Sequence, residues 1–152
     1  MSGPLKNLVA DEAGASLVEL ALAAPVLAAL LIGMVDISRG YSAKLQVEQA
    51  AQRTIEKVMQ REIASSDFTS VLKAEGAAAA TVDQSAVTVD YFLECNGTRQ
   101  AWTTTCTDGQ TYARYVTVDI SKVYTPLFRT RFAGANTNGT YTLHGKAGIR
   151  LQ

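Results

Sequence analysis

The sequence holds one histidine, His144, and two cysteines, Cys95 and Cys106, and it has no net charge, 14 basic residues being matched by 14 acidic ones. Each scarcity closes a class of function. Without a basic excess there is no chain-wide field to recruit nucleic acid. Two cysteines and one histidine do not complete a four-ligand zinc site. No phosphate-cradling glycine loop and no nucleophile elbow occurs, and Asp90, Asp108 and Asp119 do not follow the spacing of an EF-hand calcium loop. His144 is the only possible imidazole base. It sits in a predicted strand beside Gly145 with no local nucleophile signature, so a structural or surface role is the better reading. The expectation is a protein that is not an enzyme, with no catalytic residue, no cofactor, no metal and no nucleic-acid partner.

Charge is also missing locally. Leu20 to Val35 contains no charged residue, and Ala13 to Val35 contains only Glu19. At ~1.5 Å per residue, Ala15 to Val35 covers the ~30 Å hydrocarbon core of a bilayer. A cleaved secretory signal fits less well, because Asp11 and Glu12 stand directly before the run and the apolar pattern continues beyond the alanine-rich stretch. Lys6, Arg39 and Lys44 leave the positive-inside rule undecided on orientation. The cysteines bear on that question. A disulfide between Cys95 and Cys106 is the better reading and implies an oxidising compartment outside the cytoplasm; the alternative is two reduced, buried thiols. The loop it closes, 12 residues counted inclusively, is worth roughly 3 kcal/mol in the chain-entropy account.

Glu19 is the informative residue of the run. An ionisable group one turn inside an apolar helix is costly unless it is paired or reaches the interface, so it signals function by default. Gly14 precedes it by five positions, the Gly-x-x-x-x-Glu arrangement cut by prepilin peptidases after the glycine. Cleavage there makes Ala15 the new amino terminus and Glu19 the fifth residue after it. The Glu19 carboxylate is then placed to pair with the free amine of a neighbouring subunit in a low-dielectric bundle, setting the register of a filament. The plainer reading is a carboxylate near a helix N-terminus, where the dipole favours it.

The stretch from Asp11 to Leu22, then Ala24-Pro25-Val26-Leu27, and then Gly33-Met34-Val35-Asp36, resembles the TadE-like family, the pseudopilins or minor pilins of the bacterial Tad (tight adherence) pilus. The family's opening of Gly-Ala-small-apolar-Val-Glu, its apolar-Pro-apolar centre and its Gly-apolar-apolar-acidic exit each have a counterpart here. Ile37-Ser38-Arg39-Gly40-Tyr41 continues the likeness, which covers residues 12–41 closely. The leader differs in being acidic next to the cut, where relatives are often arginine-rich. The resemblance implies processing by a prepilin peptidase, partnership with other pilin or pseudopilin subunits and with inner-membrane assembly machinery, and a location in the bacterial inner membrane or a surface pilus. The globular tail implies a minor subunit.

Pro25 falls inside the apolar helix, where it removes a backbone hydrogen bond and is expected to kink it. It is either a bend that helps filament packing or an ordinary membrane-helix proline made tolerable by its neighbours. Ala21, Ala24, Ala28, Ala29 and Gly33 offer small surfaces for close helix contact. From Ile37 the pattern turns amphipathic, with Ile37, Tyr41, Leu45, Ala51, Ile55, Val58, Met59 and Ile63 on one side and Arg39, Arg53, Lys57 and Arg61 opposite. One helix from about Ala13 to Ile63 is the expectation. Ser66 or Asp67 caps a second, short helix that Gly76 ends. After Ala86 the period becomes two: Val87, Val89, Tyr91 and Leu93, then Val116, Val118 and Ile120, then Thr140 to Leu151. Asn96-Gly97, Asp108-Gly109 and Asn138-Gly139 are turn dipeptides. Trp102, the only tryptophan, lies in the threonine-rich loop between the cysteines, as a contact surface or as a cover for the core's edge.

The reading is therefore α+β and pilin-like: a long transmembrane helix continuing into an amphipathic helix, packed by a small antiparallel sheet with one disulfide. Residues 1–14 form a prepilin-type leader, 15–36 the transmembrane helix, 37–63 the amphipathic helix, 64–85 a connector, and 86–152 a β-rich extracytoplasmic domain. The alternative function is an uncleaved, membrane-anchored extracytoplasmic binding module.

Overall fold

The computed structural model describes residues 12–60, 68–128 and 134–151. Helix α1 runs Glu12–Gln60 and α2 runs Phe68–Ala80; strands follow at β1 Val87–Cys95, β2 Thr98–Ala101, β3 Tyr112–Tyr124 and β4 Tyr141–Arg150. The class is α+β, as expected. The chain divides into two compact units between Arg39 and Gly40.

In the first unit, α1 carries its apolar residues on every side. Twelve large ones among the described residues, Leu17, Val18, Leu20, Leu22, Val26, Leu27, Leu30, Leu31, Ile32, Met34, Val35 and Ile37, stand exposed. At about 1.5–3 kcal/mol for each large apolar side chain left in water, that surface costs tens of kcal/mol, more than the ~5–15 kcal/mol that stabilises a folded domain. Such a helix needs hydrocarbon or protein around it, and α1 is long and apolar enough to cross a membrane. Pro25 lies inside it without ending it.

In the second unit the four strands form one antiparallel sheet in the order β2-β1-β3-β4. Alternation aims Val87 and Val89 of β1, and Val116, Val118 and Ile120 of β3, to one face, where Val87 pairs with Ile120 and Val89 with Val118 in the β1–β3 register. They make a single core with Val47, Ala51, Ile55 and Val58 of α1 and with Phe68 and Leu72 of α2. Asn96 and Gly97 both take positive φ, 49° and 78°, the signature of the two-residue turn that matches strand twist. It joins β1 to β2, a strand not expected from the sequence.

Three local expectations change. The buried stripe of α1 runs Val47, Ala50, Ala51, Thr54, Ile55, Val58, whereas Ile37, Tyr41, Leu45 and Met59 are exposed, Met59 at 67%. Thr54 can be buried because its hydroxyl donates to the Ala50 carbonyl at 2.8 Å. Ile63, Ser66 and Asp67 lie outside the described residues. Gly76 does not end α2. A Cβ there would stand 3.2 Å from Val87 Cγ1 and 3.3 Å from Ile120 Cδ1, so the glycine permits close packing and the helix continues to Ala80. The helix ends at Thr81, at φ 55°, with Val82 N–H donating to Ala77 and Thr81 N–H to Ala78. That is the Schellman arrangement, with threonine where glycine is usual.

At Gly145 of β4 the sheet comes close to the backbone of α1. A Cβ at that position would lie 2.3 Å from the Val47 carbonyl oxygen and 2.7 Å from the Glu48 nitrogen, both backbone atoms of α1. Lys44, paired with Glu48 at 3.0 Å, also donates to the His144 carbonyl beside this crossing.

Candidate functional site

On the apolar helix, Gly14 and Glu19 each present a feature that the described residues do not explain. Gly14 is helical, and among the described residues a Cβ added there meets nothing within 4 Å. Neither a positive φ nor a close approach requires glycine, which costs a helix interior roughly 1 kcal/mol relative to alanine. Glu19 is exposed among the exposed Leu17, Val18, Leu20 and Leu22, and among the described residues it has no ion-pair partner. A carboxylate inside an apolar surface with no cation beside it among the described residues is a group that a cation from elsewhere can satisfy. Nothing is described of the Ala15 side chain.

Residues 14–55 match the TadE-like protein family. No curated protein and no solved structure matches the chain. The TadE-like segment opens on Gly14, contains Glu19 and Pro25, and ends at Ile55 among the buried residues of α1. Together with the sequence resemblance it suggests a pilin-like protein associated with a Tad pilus, and its apolar helix fits membrane anchoring. The sheet lies outside the TadE-like match, so its chemistry rests on its own geometry.

The second feature is the end of the sheet beyond the helices. Cys95 and Cys106 are joined by a disulfide with Cα atoms 5.6 Å apart, tying the end of β1 to the following loop. Asn96 fastens the far side of that loop: its N–H donates to the Thr111 carbonyl at 2.9 Å, and its Oδ1 accepts from the Thr111 N–H at 2.9 Å and hydroxyl at 3.0 Å. The Thr107 N–H donates to Gln110 Oε1 at 3.1 Å. These bonds hold the loop from Thr104 to Gln110, which with Leu93, Tyr112 and Arg114 lines a half-open cavity of about 440 Å³. Trp102 packs edge-on against Tyr91 at 5.7 Å, and the Arg114 guanidinium lies over it, 5.0 Å from the ring centroid. Trp102 thus covers the edge of the core and carries a cation at the same time.

Arg114 was not singled out by sequence. It occupies an inward position of β3, two residues before Val116, and pairs with Leu93 in register. An arginine interrupting an apolar alternation was the available signal. Its Nε is buried with no hydrogen-bond acceptor, and among the described residues it has no carboxylate partner. A buried polar group left unsatisfied in this way costs on the order of 1–3 kcal/mol.

The opposite face of the sheet carries His144. Its Nδ1 lies 3.2 Å from Asp119 Oδ1, and Lys146 Nζ lies 3.0 Å from Asp119 Oδ2. Partial burial pushes the Asp119 carboxyl up, but the bonds from Lys146 and His144 outweigh it and hold it below its ordinary value. Ser121 stands across from His144 in the β3–β4 register, yet its hydroxyl donates to the Ala86 carbonyl at 3.2 Å. A serine, a histidine and an aspartate are therefore neighbours here without a serine-to-histidine hydrogen bond. Arg99 of β2 pairs with Asp90 and stacks over Phe92 at 4.2 Å.

Proposed function

We propose that this chain is a minor pilin or pseudopilin of a Tad-type adhesive pilus, cleaved after Gly14 and built into or beneath the filament as a structural, non-enzymatic subunit. The observation that carries the reading is the TadE-like match opening on a glycine that neither packing nor backbone conformation requires. A prepilin peptidase supplies the missing reason: it reads the glycine, cuts on the cytoplasmic face, and frees the amine of Ala15. Glu19 then pairs with the amine of a neighbouring subunit. Inside an apolar bundle that pairing offsets desolvation of both charges, which is why an isolated carboxylate is tolerated there. Pro25 leaves one carbonyl of the helix without its usual donor, giving a bend that adjoining subunits accommodate.

The protein starts in this reading as a single-pass inner-membrane subunit with the sheet on the extracytoplasmic side, where Cys95 and Cys106 are oxidised. Its partners are the peptidase, other pilin or pseudopilin subunits, the assembly machinery and the bilayer. The test is recovery of the chain with sheared pili. Wild type is expected in the sheared fraction, and Glu19→Ala is expected to stay in the membrane at normal abundance. Equal recovery of the two would remove the register role assigned to Glu19.

A further inference from the structure

We infer that the stapled end of the sheet is a binding site for an acidic saccharide, a sugar unit carrying one carboxylate. The inference is independent of the pilin reading, since it rests wholly on residues outside the TadE-like match. The cavity of about 440 Å³ is within the ~300–1,000 Å³ range of small-ligand sites. Its chemistry is divided. Arg114 lines the cavity as a cation with no carboxylate partner among the described residues, so a ligand carboxylate is the charge that complements it. One guanidinium matches one carboxylate and is too little for a polyanion.

The rest of the lining offers hydrogen bonds rather than charge. Thr104, Thr105 and Thr107 provide hydroxyls, and Asp108 provides acceptors for donors on a ligand. An acidic side chain from a protein partner has no hydroxyls to use them, whereas a sugar ring does. Tyr112, 55% exposed at the rim, offers an aromatic face on which the apolar side of a pyranose can lie. The disulfide and the Asn96 clamp hold the loop in place before a ligand arrives, which lowers the entropic cost of binding. The Arg114 guanidinium lies over the Trp102 ring at 5.0 Å, a cation–π contact that restrains it.

The full chain in detergent micelles is titrated with sodium glucuronate, glucose, sodium acetate and a triglutamate peptide at matched ionic strength. Binding is followed by calorimetry and by emission of Trp102, the only tryptophan. Glucuronate is expected to saturate; glucose and acetate are expected to bind at least tenfold more weakly, as is triglutamate. Arg114→Gln is expected to weaken glucuronate at least tenfold, and Arg114→Lys to restore only part of the loss. Tyr112→Ala, at an exposed position, is the second variant should Arg114→Gln fail to fold, and it too is expected to lose affinity. Absence of saturation by both readouts overturns the inference, as does unchanged glucuronate affinity in either Arg114→Gln or Tyr112→Ala. Acetate binding as well as glucuronate removes the saccharide. Triglutamate binding better assigns the cation to an acidic protein partner instead.

Discussion

Replacing Gly145 by alanine places one methyl group against the backbone of a neighbouring helix, where no rotamer change can relieve it. The added carbon would sit 2.3 Å from the Val47 carbonyl oxygen, 2.5 Å from the Val47 carbonyl carbon and 2.7 Å from the Glu48 nitrogen. Ordinary contact begins near 3.4 Å, so α1 and β4 must separate by roughly 1 Å along this crossing. Val47 is itself fully buried in the core, and Lys44 reaches the His144 carbonyl next to the crossing, so separation also loosens both. Overpacking of this kind costs about 1–3 kcal/mol and more where backbone must move; about 3 kcal/mol is expected. Urea unfolding of the full chain in detergent, followed by Trp102 emission, reads the loss as a lower midpoint. Gly33→Ala is the control, since a Cβ there meets nothing within 4 Å. Gly148→Ala, which meets mainly the Thr117 side chain, should cost clearly less than Gly145→Ala. A Gly145→Ala variant within ~0.5 kcal/mol of wild type would refute the packing argument.

Reducing the Cys95–Cys106 disulfide, or replacing both cysteines by serine, should cost roughly 3 kcal/mol, read by the same unfolding assay with and without reductant. Asp119 gives a pH dependence of definite sign. Its carboxyl is held below the ordinary value in the folded state, so its contribution is present above about pH 4, the unfolded value, and is lost as pH falls through the folded one. The stability difference between wild type and Asp119→Asn should therefore narrow below about pH 4. Its size stays under ~1 kcal/mol because Lys146 is largely exposed; a difference that widens on acidification contradicts the pairing. Gly76→Val should destabilise the sheet unit by more than ~1 kcal/mol, because its side chain enters space held by Val87 and Ile120; an unchanged unfolding midpoint would contradict this.

The fold was legible wherever one face of an element is buried. Val87, Val89, Val116, Val118 and Ile120 alternate because only one side of their strands meets the helices, and Asn96-Gly97 marks its hairpin because both residues adopt positive φ. β2 left no such trace: Thr98–Ala101 is exposed at every position, so no apolar period exists to be read. Gly76 and Gly145 misled or stayed silent for a related reason. A glycine that lets a distant element come close looks, locally, like a helix breaker or an ordinary strand residue. The buried face of α1 is ambiguous in sequence because the helix carries apolar residues on several sides, Ile37, Tyr41, Leu45 and Met59 being exposed. Of the site residues, Gly14, Glu19 and the cysteine pair were visible as motif and spacing. Arg114 was not, because its meaning depends on a loop folded back by the disulfide and on Trp102 beneath it.

An apolar helix with a glycine and a carboxylate five positions apart, cut after the glycine, gives the chain a new chemical end. Intact mass and N-terminal sequencing of the protein extracted from membranes of piliated cells read that end directly. A chain beginning at Ala15 is expected, with the longer form restored by replacing Gly14 or removing the peptidase. A chain in those cells that still begins at Met1 or Ser2 would contradict it.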